Sequence, residues 1–148
     1  MKLRSPKLDD IPALVAIEAE CFDYYQLKAS SFRHFITKGH CDLMIAEHEE
    51  STEGYALVLY RKSSRCARLY SIAILEKARK LKLGTTLMDE MEKKAKKRGC
   101  TSVMLEVRAE NMGAIRFYER LGYRQYTILK RYYKDGGDAL RLKKSLIS

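Results

Sequence analysis

The sequence predicts a mixed α/β (α+β) fold in the order ααβββ-α-β-α-ββ, on three observations. Three strand-like runs follow one another on short connections, which favours an antiparallel meander. A helical run then separates Ala67 to Ile74 from Ser102 to Val107, a βαβ unit whose strands should be parallel with a right-handed crossover. Near the end, Lys134-Asp135-Gly136-Gly137 carries the turn chemistry of a hairpin. At 148 residues, with two prolines (Pro6, Pro12) and no repeat, low-complexity stretch or Pro/Gly-rich linker, the chain reads as one domain, 1–148.

Asp9-Asp10 ahead of Ile11, Leu14, Val15, Ile17 and Ala19 predicts a capped amphipathic helix, its acidic residues at the positive end of the dipole. A second short helix follows Ser30-Ser31 and carries Phe32, Phe35 and Ile36; between the two, Cys21 to Leu27 reads as aromatic-rich and irregular. The first strands are Asp42 to Glu47, Gly54 to Arg61 and Ala67 to Ile74, with a turn at Glu50-Ser51-Thr52-Glu53-Gly54. From Gly84 to Arg98 the spacing of Leu83, Leu87, Met88, Met91 and Ala95 is helical, and Gly99 is a natural stop. Lys93, Lys94, Lys96, Lys97 and Arg98 fill its last turns, where cations complement the dipole. After the buried strand Ser102 to Val107, Asn111 caps a helix carrying Ala114, Ile115, Tyr118 and Leu121 and ended by Gly122. Two strands, near Tyr123 to Tyr132 and Asp138 to Lys144, complete the order.

Against 29 Lys+Arg stand 19 Asp+Glu, a net charge of +10 that would suit nucleic acid, an anionic membrane or a phosphorylated small molecule. Residues 1–50 are net acidic, whereas 51–100 hold 13 basic against 5 acidic side chains, set among Leu, Ile, Met and Tyr. The charge therefore belongs to a face of the folded domain and not to a polyelectrolyte tail. No run of 18 apolar residues and no apolar leader follows Met1, so neither a membrane span nor a cleaved signal is expected. Cys21, Cys41, Cys66 and Cys100 are far apart, which predicts reduced thiols in a cytoplasmic protein, two or three of them small core residues. His34, His40 and His48 lack metal-ligand spacing, so no metal is expected.

The junction from Ile72 to Leu87 is a strand, a basic turn with Gly84 near its end, and a helix start. Unpaired backbone N–H groups meet the positive end of a dipole there, with Lys77, Arg79, Lys80 and Lys82 around them, a setting for phosphate or pyrophosphate. By spacing alone it reads equally as an exposed loop, and it is not a G-x-x-x-x-G-K-[ST] loop. Taken singly, Glu106 beside Arg108 reads as an ion-pair residue, Tyr118 as a core tyrosine and Asn111 as an ordinary N-cap.

Together these residues resemble the GNAT superfamily of N-acetyltransferases. The block Asn-x-x-Ala-x-x-x-Tyr-x-x-x-Gly-[Phe/Tyr] is matched by Asn111, Ala114, Tyr118, Gly122 and Tyr123 after a buried strand. Leu105-Glu106-Val107-Arg108 and the tail from Arg131 to Ala139 look closest to the RimI-like branch, which acetylates ribosomal-protein alanine and other protein N-termini. The resemblance runs through nearly the whole chain. It implies a splayed parallel strand pair, acetyl-coenzyme A as cofactor and an amine acceptor, most simply a protein or peptide N-terminus, that attacks the acetyl group directly in a ternary complex. Glu106 would be the general base and Tyr118 the general acid. Backbone groups of Ile72, Ala73 and Ile74 would bind acetyl and pantetheine, and Asn111 the pantetheine arm. The pyrophosphate would lie on Arg79, Lys80, Leu81, Lys82, Leu83, Gly84 and Thr85, where Lys82 stands in place of a family glycine and Leu75-Glu76 in place of an Asp-Pro. Phe22, Tyr24, Tyr25, Tyr132 and Tyr133 would wall the acceptor site, with Phe22-Asp23-Tyr24-Tyr25 replacing the family's Phe-Pro-Trp-Ser. Glu18, Glu20 and Asp23 make that side acidic, which also suits a small amine such as a polyamine or aminoglycoside, or a lysine. A non-catalytic RNA- or ribosome-binding module is the alternative from another class. No membrane partner is expected, nor nucleic acid beyond proximity to ribosomes, and monomer and homodimer stay open.

Overall fold

Alternation along the strands sets the architecture. The computed structural model describes residues 2–22 and 26–147, apart from the side chains of Lys80 and Leu81. A seven-stranded sheet in the order β1-β2-β3-β4-β5-β7-β6 is built from β1 (Lys2–Arg4), β2 (Cys41–His48), β3 (Ser51–Leu59), β4 (Cys66–Ile74), β5 (Ser102–Arg108), β6 (Arg124–Leu129) and β7 (Ala139–Ser145). β4 and β5 are the parallel pair, and the other pairings are antiparallel. The helices are α1 (Ile11–Cys21), α2 (Ala29–Thr37), α3 (Leu83–Lys97) and α4 (Met112–Arg120), with a 3-10 turn over Glu76–Leu81 leading into α3.

Each face of the sheet has its own core. On one, Leu83, Leu87, Met88, Met91 and Ala95 of α3 and Ile115 and Tyr118 of α4 pack on Met44, Ala56, Val58, Val103, Leu105 and Val107. On the other, Ile11, Leu14 and Ile17 of α1 and Phe32 of α2 pack on Leu43, Ile45, Tyr55, Leu57 and Ala73. Each fully buried Leu, Ile or Phe stabilises the fold by about 1.5–3 kcal/mol over leaving it exposed. Along β5 the odd-numbered residues are buried under α3 and α4, which turns Met104, Glu106 and Arg108 to the face that carries α1 and α2.

The β4–β5 ladder is short. It pairs Cys66, Ala67 and Arg68 with Ser102, Val103 and Met104, and no pairs follow. At that point β4 carries a bulge: Val58 of β3 faces Leu69 and Leu57 faces Ser71, so Tyr70 is the extra residue. A bulge bends its strand and raises its twist. Here it keeps β4 on β3 as far as Ile74 and parts it from β5, giving the splayed parallel pair.

The expected order holds, with corrections that have local causes. A first strand, β1, precedes the helices, too short to carry a period-2 signal. Asp10 makes no side-chain cap to α1; its carboxylate takes the Lys7 amide (2.7 Å) and two guanidinium nitrogens of Arg4 (2.7 and 2.8 Å). Ala19 is exposed on α1 while Glu18 is buried. The β2–β3 turn is Glu49-Glu50, both at positive φ (52° and 65°), so Ser51 to Gly54 lie in the strand. Those angles suit a two-residue hairpin turn, but without Asn or Gly its sequence gives no sign. β6 stops at Leu129, which leaves Tyr132 and Tyr133 in the connection to β7. Cys100 is buried, and the other three cysteines are half-buried.

Candidate active site

The parted strands open a cleft of about 580 Å³, lined from α1 (Glu18), β4 (Arg68, Ser71, Ile72), β5 (Leu105, Glu106), α4 (Asn111, Tyr118) and the β6–β7 connection (Tyr132, Tyr133). Of the site residues assigned from sequence, Phe22, Ile72, Glu106, Asn111, Tyr118, Tyr132 and Tyr133 line it. Ile72, Ala73 and Ile74 lie on the stretch of β4 that pairs with β3 and not with β5, so their cleft-side backbone groups are outside the ladder. The Ile74 carbonyl is already used, accepting from Arg79 Nε (3.3 Å) and Cys21 Sγ (3.4 Å).

Glu106 and Tyr118 flank this gap from opposite faces of the sheet. The Glu106 carboxylate, its side chain 6% exposed, is saturated: Oε1 accepts from Arg68 Nη2 (2.6 Å) and the Tyr132 hydroxyl (2.7 Å). Oε2 accepts from Arg141 Nε (3.1 Å) and Nη2 (2.5 Å). Burial pushes this carboxyl up, but the hydrogen bonds from Arg141 and Tyr132 and the charges of Arg68 and Arg141 outweigh it and hold it below the ordinary glutamate value. Tyr118 is buried on the α4 side, edge-on to Tyr123, and burial pushes its phenol up to about 12. It therefore keeps its proton at neutral pH and can donate it.

The turn before α3 has the features a phosphate group needs. Lys82 sits at φ 57° and ψ 29°, in the left-handed region, and no side chain caps the N-terminus of α3. A lysine thus holds the conformation for which the family pattern keeps a glycine. Ala78 is buried and anchors the turn, Lys77 reaches Glu53 (3.5 Å), and Arg79, Lys82 and Thr85 are exposed around it. Leu83 is fully buried in the core, so it can offer only backbone to a ligand. A Cβ on Gly84 would stand 3.1 Å from Ile74 Cδ1 and 3.2 Å from Phe117 Cζ, which shows how closely α3 approaches β4 and α4. An uncapped helix end, a left-handed turn and exposed cations together fit a pyrophosphate. The parted edge of β4 fits an extended amide-bearing arm.

Asn111 caps α4, its Oδ1 accepting from the Ala114 amide (3.1 Å), so the donor it can offer the cleft is Nδ2. Phe22 lines the cleft with Gln26 and Leu27. Tyr24 and Tyr25 lie outside the described residues, as does Asp23. Tyr132 and Tyr133 meet edge to face (centroids 5.2 Å), and the Arg108 guanidinium stacks on Tyr133 at 4.1 Å. Arg68 and Arg141 are site residues that the sequence reading passes over. Arg141 is the direct cross-strand partner of Glu106, a register that spacing alone does not disclose.

Comparison with known proteins agrees with this geometry. Residues 11–123 match the acetyltransferase (GNAT) family. An uncharacterised N-acetyltransferase of Methanocaldococcus jannaschii is 30% identical over 145 residues, 97% of this chain and 91% of that protein. An N-alpha-acetyltransferase of Saccharolobus solfataricus is 29% identical over 97% of this chain and 92% of its own length. Among solved structures, the ribosomal-protein-S18-alanine N-acetyltransferase of Escherichia coli superposes with a TM-score of 0.86 at 25% identity, covering 99% of this chain and 94% of that one. The chain belongs to the GNAT family of acetyltransferases.

Proposed function

We propose that this protein acetylates the α-amine of protein N-termini in the cytoplasm, with acetyl-coenzyme A as donor and direct attack in a ternary complex. The observation that carries the reading is the placement of Glu106 and Tyr118 on opposite faces of the gap where β4 leaves β5. An amine arriving on the α1 and α2 face meets the anion, and a sulfur on the α3 and α4 face meets the phenol. Bound acetyl-coenzyme A supplies the activated acetyl thioester. The chain does the rest: the α3 turn and Arg79 hold phosphate, the free edge of β4 orients the acetyl carbonyl, and Tyr118 gives a proton to the departing sulfur. Glu106, ionised at neutral pH, draws the amine into the cleft. The relatives favour a protein N-terminus over a small amine, since N-alpha-acetyltransferases and a bS18-alanine enzyme are among them.

Thiol release assayed over a panel of N-terminal peptides, lysine-bearing peptides with blocked N-termini, polyamines and aminoglycosides tests this. Turnover is expected with free N-terminal peptides. Turnover confined to a polyamine or aminoglycoside, or to lysine side chains, would move the protein to those substrates. Salt-sensitive RNA binding without any response to coenzyme A would make it a binding module.

A further inference from the structure

A second carboxylate, Glu18, reaches the same cleft by a route the sequence does not show. It lies on α1, 1% exposed, with Oε1 accepting from the Leu27 amide (2.6 Å) and Oε2 from the Tyr55 hydroxyl (2.5 Å). Tyr55, fully buried on β3, is in turn 2.8 Å from Ser71 Oγ on β4, and Ser71 lines the cleft beside Ile72. Because the one Tyr55 proton goes to Glu18, Ser71 donates to Tyr55, which leaves its Oγ lone pairs free to accept. The result is a continuous chain from the cleft wall to a buried carboxylate.

The two carboxylates have opposite surroundings. Glu106 has both oxygens occupied by Arg68, Tyr132 and Arg141, which weakens it as a proton acceptor. Glu18 is faced by Tyr55 from β3 and the Leu27 amide; Tyr55 in turn meets Ser71 from β4 and the charge of Cys21 on α1, whose thiol feels Arg79 and Glu20. No cation is hydrogen-bonded to Glu18 among the described residues. Burial raises its carboxyl, against the lowering effect of Tyr55 and Leu27. Pairs of carboxylates pushed apart in this way divide their roles.

Building on the N-acetyltransferase reading, we propose that Ser71, Tyr55 and Glu18 form a proton relay that receives the acceptor amine's proton, while Glu106 stays ionised and guides the amine. Attack forms the N–C bond and breaks the C–S bond, whose electron pair leaves with sulfur and takes the Tyr118 proton. The excess proton on nitrogen passes to Ser71 Oγ as Ser71 passes its own to Tyr55 and Tyr55 its own to Glu18 Oε2. Ser71 and the amine are in contact, whereas Tyr55 and Glu18 act through it.

The test compares pH profiles of peptide acetylation for wild type, Glu18→Gln and Ser71→Ala. Gln still accepts the Leu27 amide, and Ser71→Ala leaves the Glu18–Tyr55 bond in place. Each variant should lose about a hundredfold in kcat near neutral pH, with the KM for acetyl-coenzyme A changed less than about twofold. The loss should shrink as pH rises and solvent base takes over, the double variant should be no slower than either single one, and Ser71→Thr should restore activity. A readout without turnover is carboxyl-13C NMR of the ligand-free protein, in which the resonance missing from Glu18→Gln should titrate above the usual carboxylate range. Wild-type rates in both variants, a loss of equal factor at every pH, or an ordinary titration of Glu18 would each overturn the relay and leave the N-acetyltransferase reading standing. A wild type inactive on every amine would remove that reading and the relay with it.

Discussion

Glu106 has the surroundings of a group built to stay ionised. Burial raises its pKa, but Arg141, Tyr132 and Arg68 bring it below the ordinary value, so its contribution to stability is present above the unfolded value of about 4.3 and is lost as pH falls through the folded one. Glu106→Gln leaves two guanidinium groups facing a neutral amide. It is expected to destabilise the protein by about 3 kcal/mol at neutral pH in urea unfolding, with the gap to wild type closing in acid. A gap independent of pH would place the loss in packing instead. Tyr118 makes the complementary prediction: with its phenol held protonated, Tyr118→Phe should lower kcat about a hundredfold while coenzyme A affinity stays within about twofold. Equal rates would remove it as the acid. Asn111 and Gly122 show what single residues disclose in advance, since the cap on Ala114 and the positive φ of 100° follow from side-chain chemistry alone. The arginines around Glu106 do not follow from it, because each comes from a different strand.

The turn into α3 shows how an element can keep its geometry after losing the residue best suited to it. Lys82 is left-handed at φ 57°, a conformation that costs an L-residue about 1–2 kcal/mol relative to glycine. Lys82→Gly should therefore raise stability by up to about 1 kcal/mol once the unfolded-chain entropy of glycine is subtracted. Lys82→Ala keeps the strain and removes the charge. Denaturant unfolding and coenzyme A titration of the pair separate the two effects: Ala should leave stability unchanged and weaken binding, and an Ala variant that binds as wild type would exclude a charge contact. Helical spacing located α3 and α4 to within a residue or so, because both lay an apolar stripe on the sheet. The β2–β3 turn lies at Glu49-Glu50, at the edge of the expected Glu50–Gly54, and the bulge at Tyr70 carries no signal in the sequence, since neither uses a residue type that demands it.

At the scale of the molecule, of the 13 basic residues that stand against 5 acidic ones in 51–100, Lys77, Arg79, Lys80 and Lys82 lie on the turn into α3 that would face a phosphorylated donor, and Lys93, Lys94, Lys96, Lys97 and Arg98 lie at the opposite end of α3. Coenzyme A binding should slow as ionic strength rises from about 0.01 M to about 0.15 M, which shortens the Debye length from about 30 to about 8 Å. A stopped-flow association rate indifferent to salt would detach the charge from the ligand. No helix among the described residues is long and apolar enough to cross a membrane. The sequence by itself determined the order of helices and main strands, the parallel pairing around α3 and the family, because periodicity, caps and a spaced motif are local and survive in one dimension. Only the tertiary structure decided that β4 leaves β5 after Arg68, that Arg68 and Arg141 close on Glu106, and that Glu18 is joined through Tyr55 to Ser71. Those contacts bring together residues 16 to 38 positions apart, and their register rests on a bulge and on which face each strand turns inward, quantities fixed by packing two cores against one sheet.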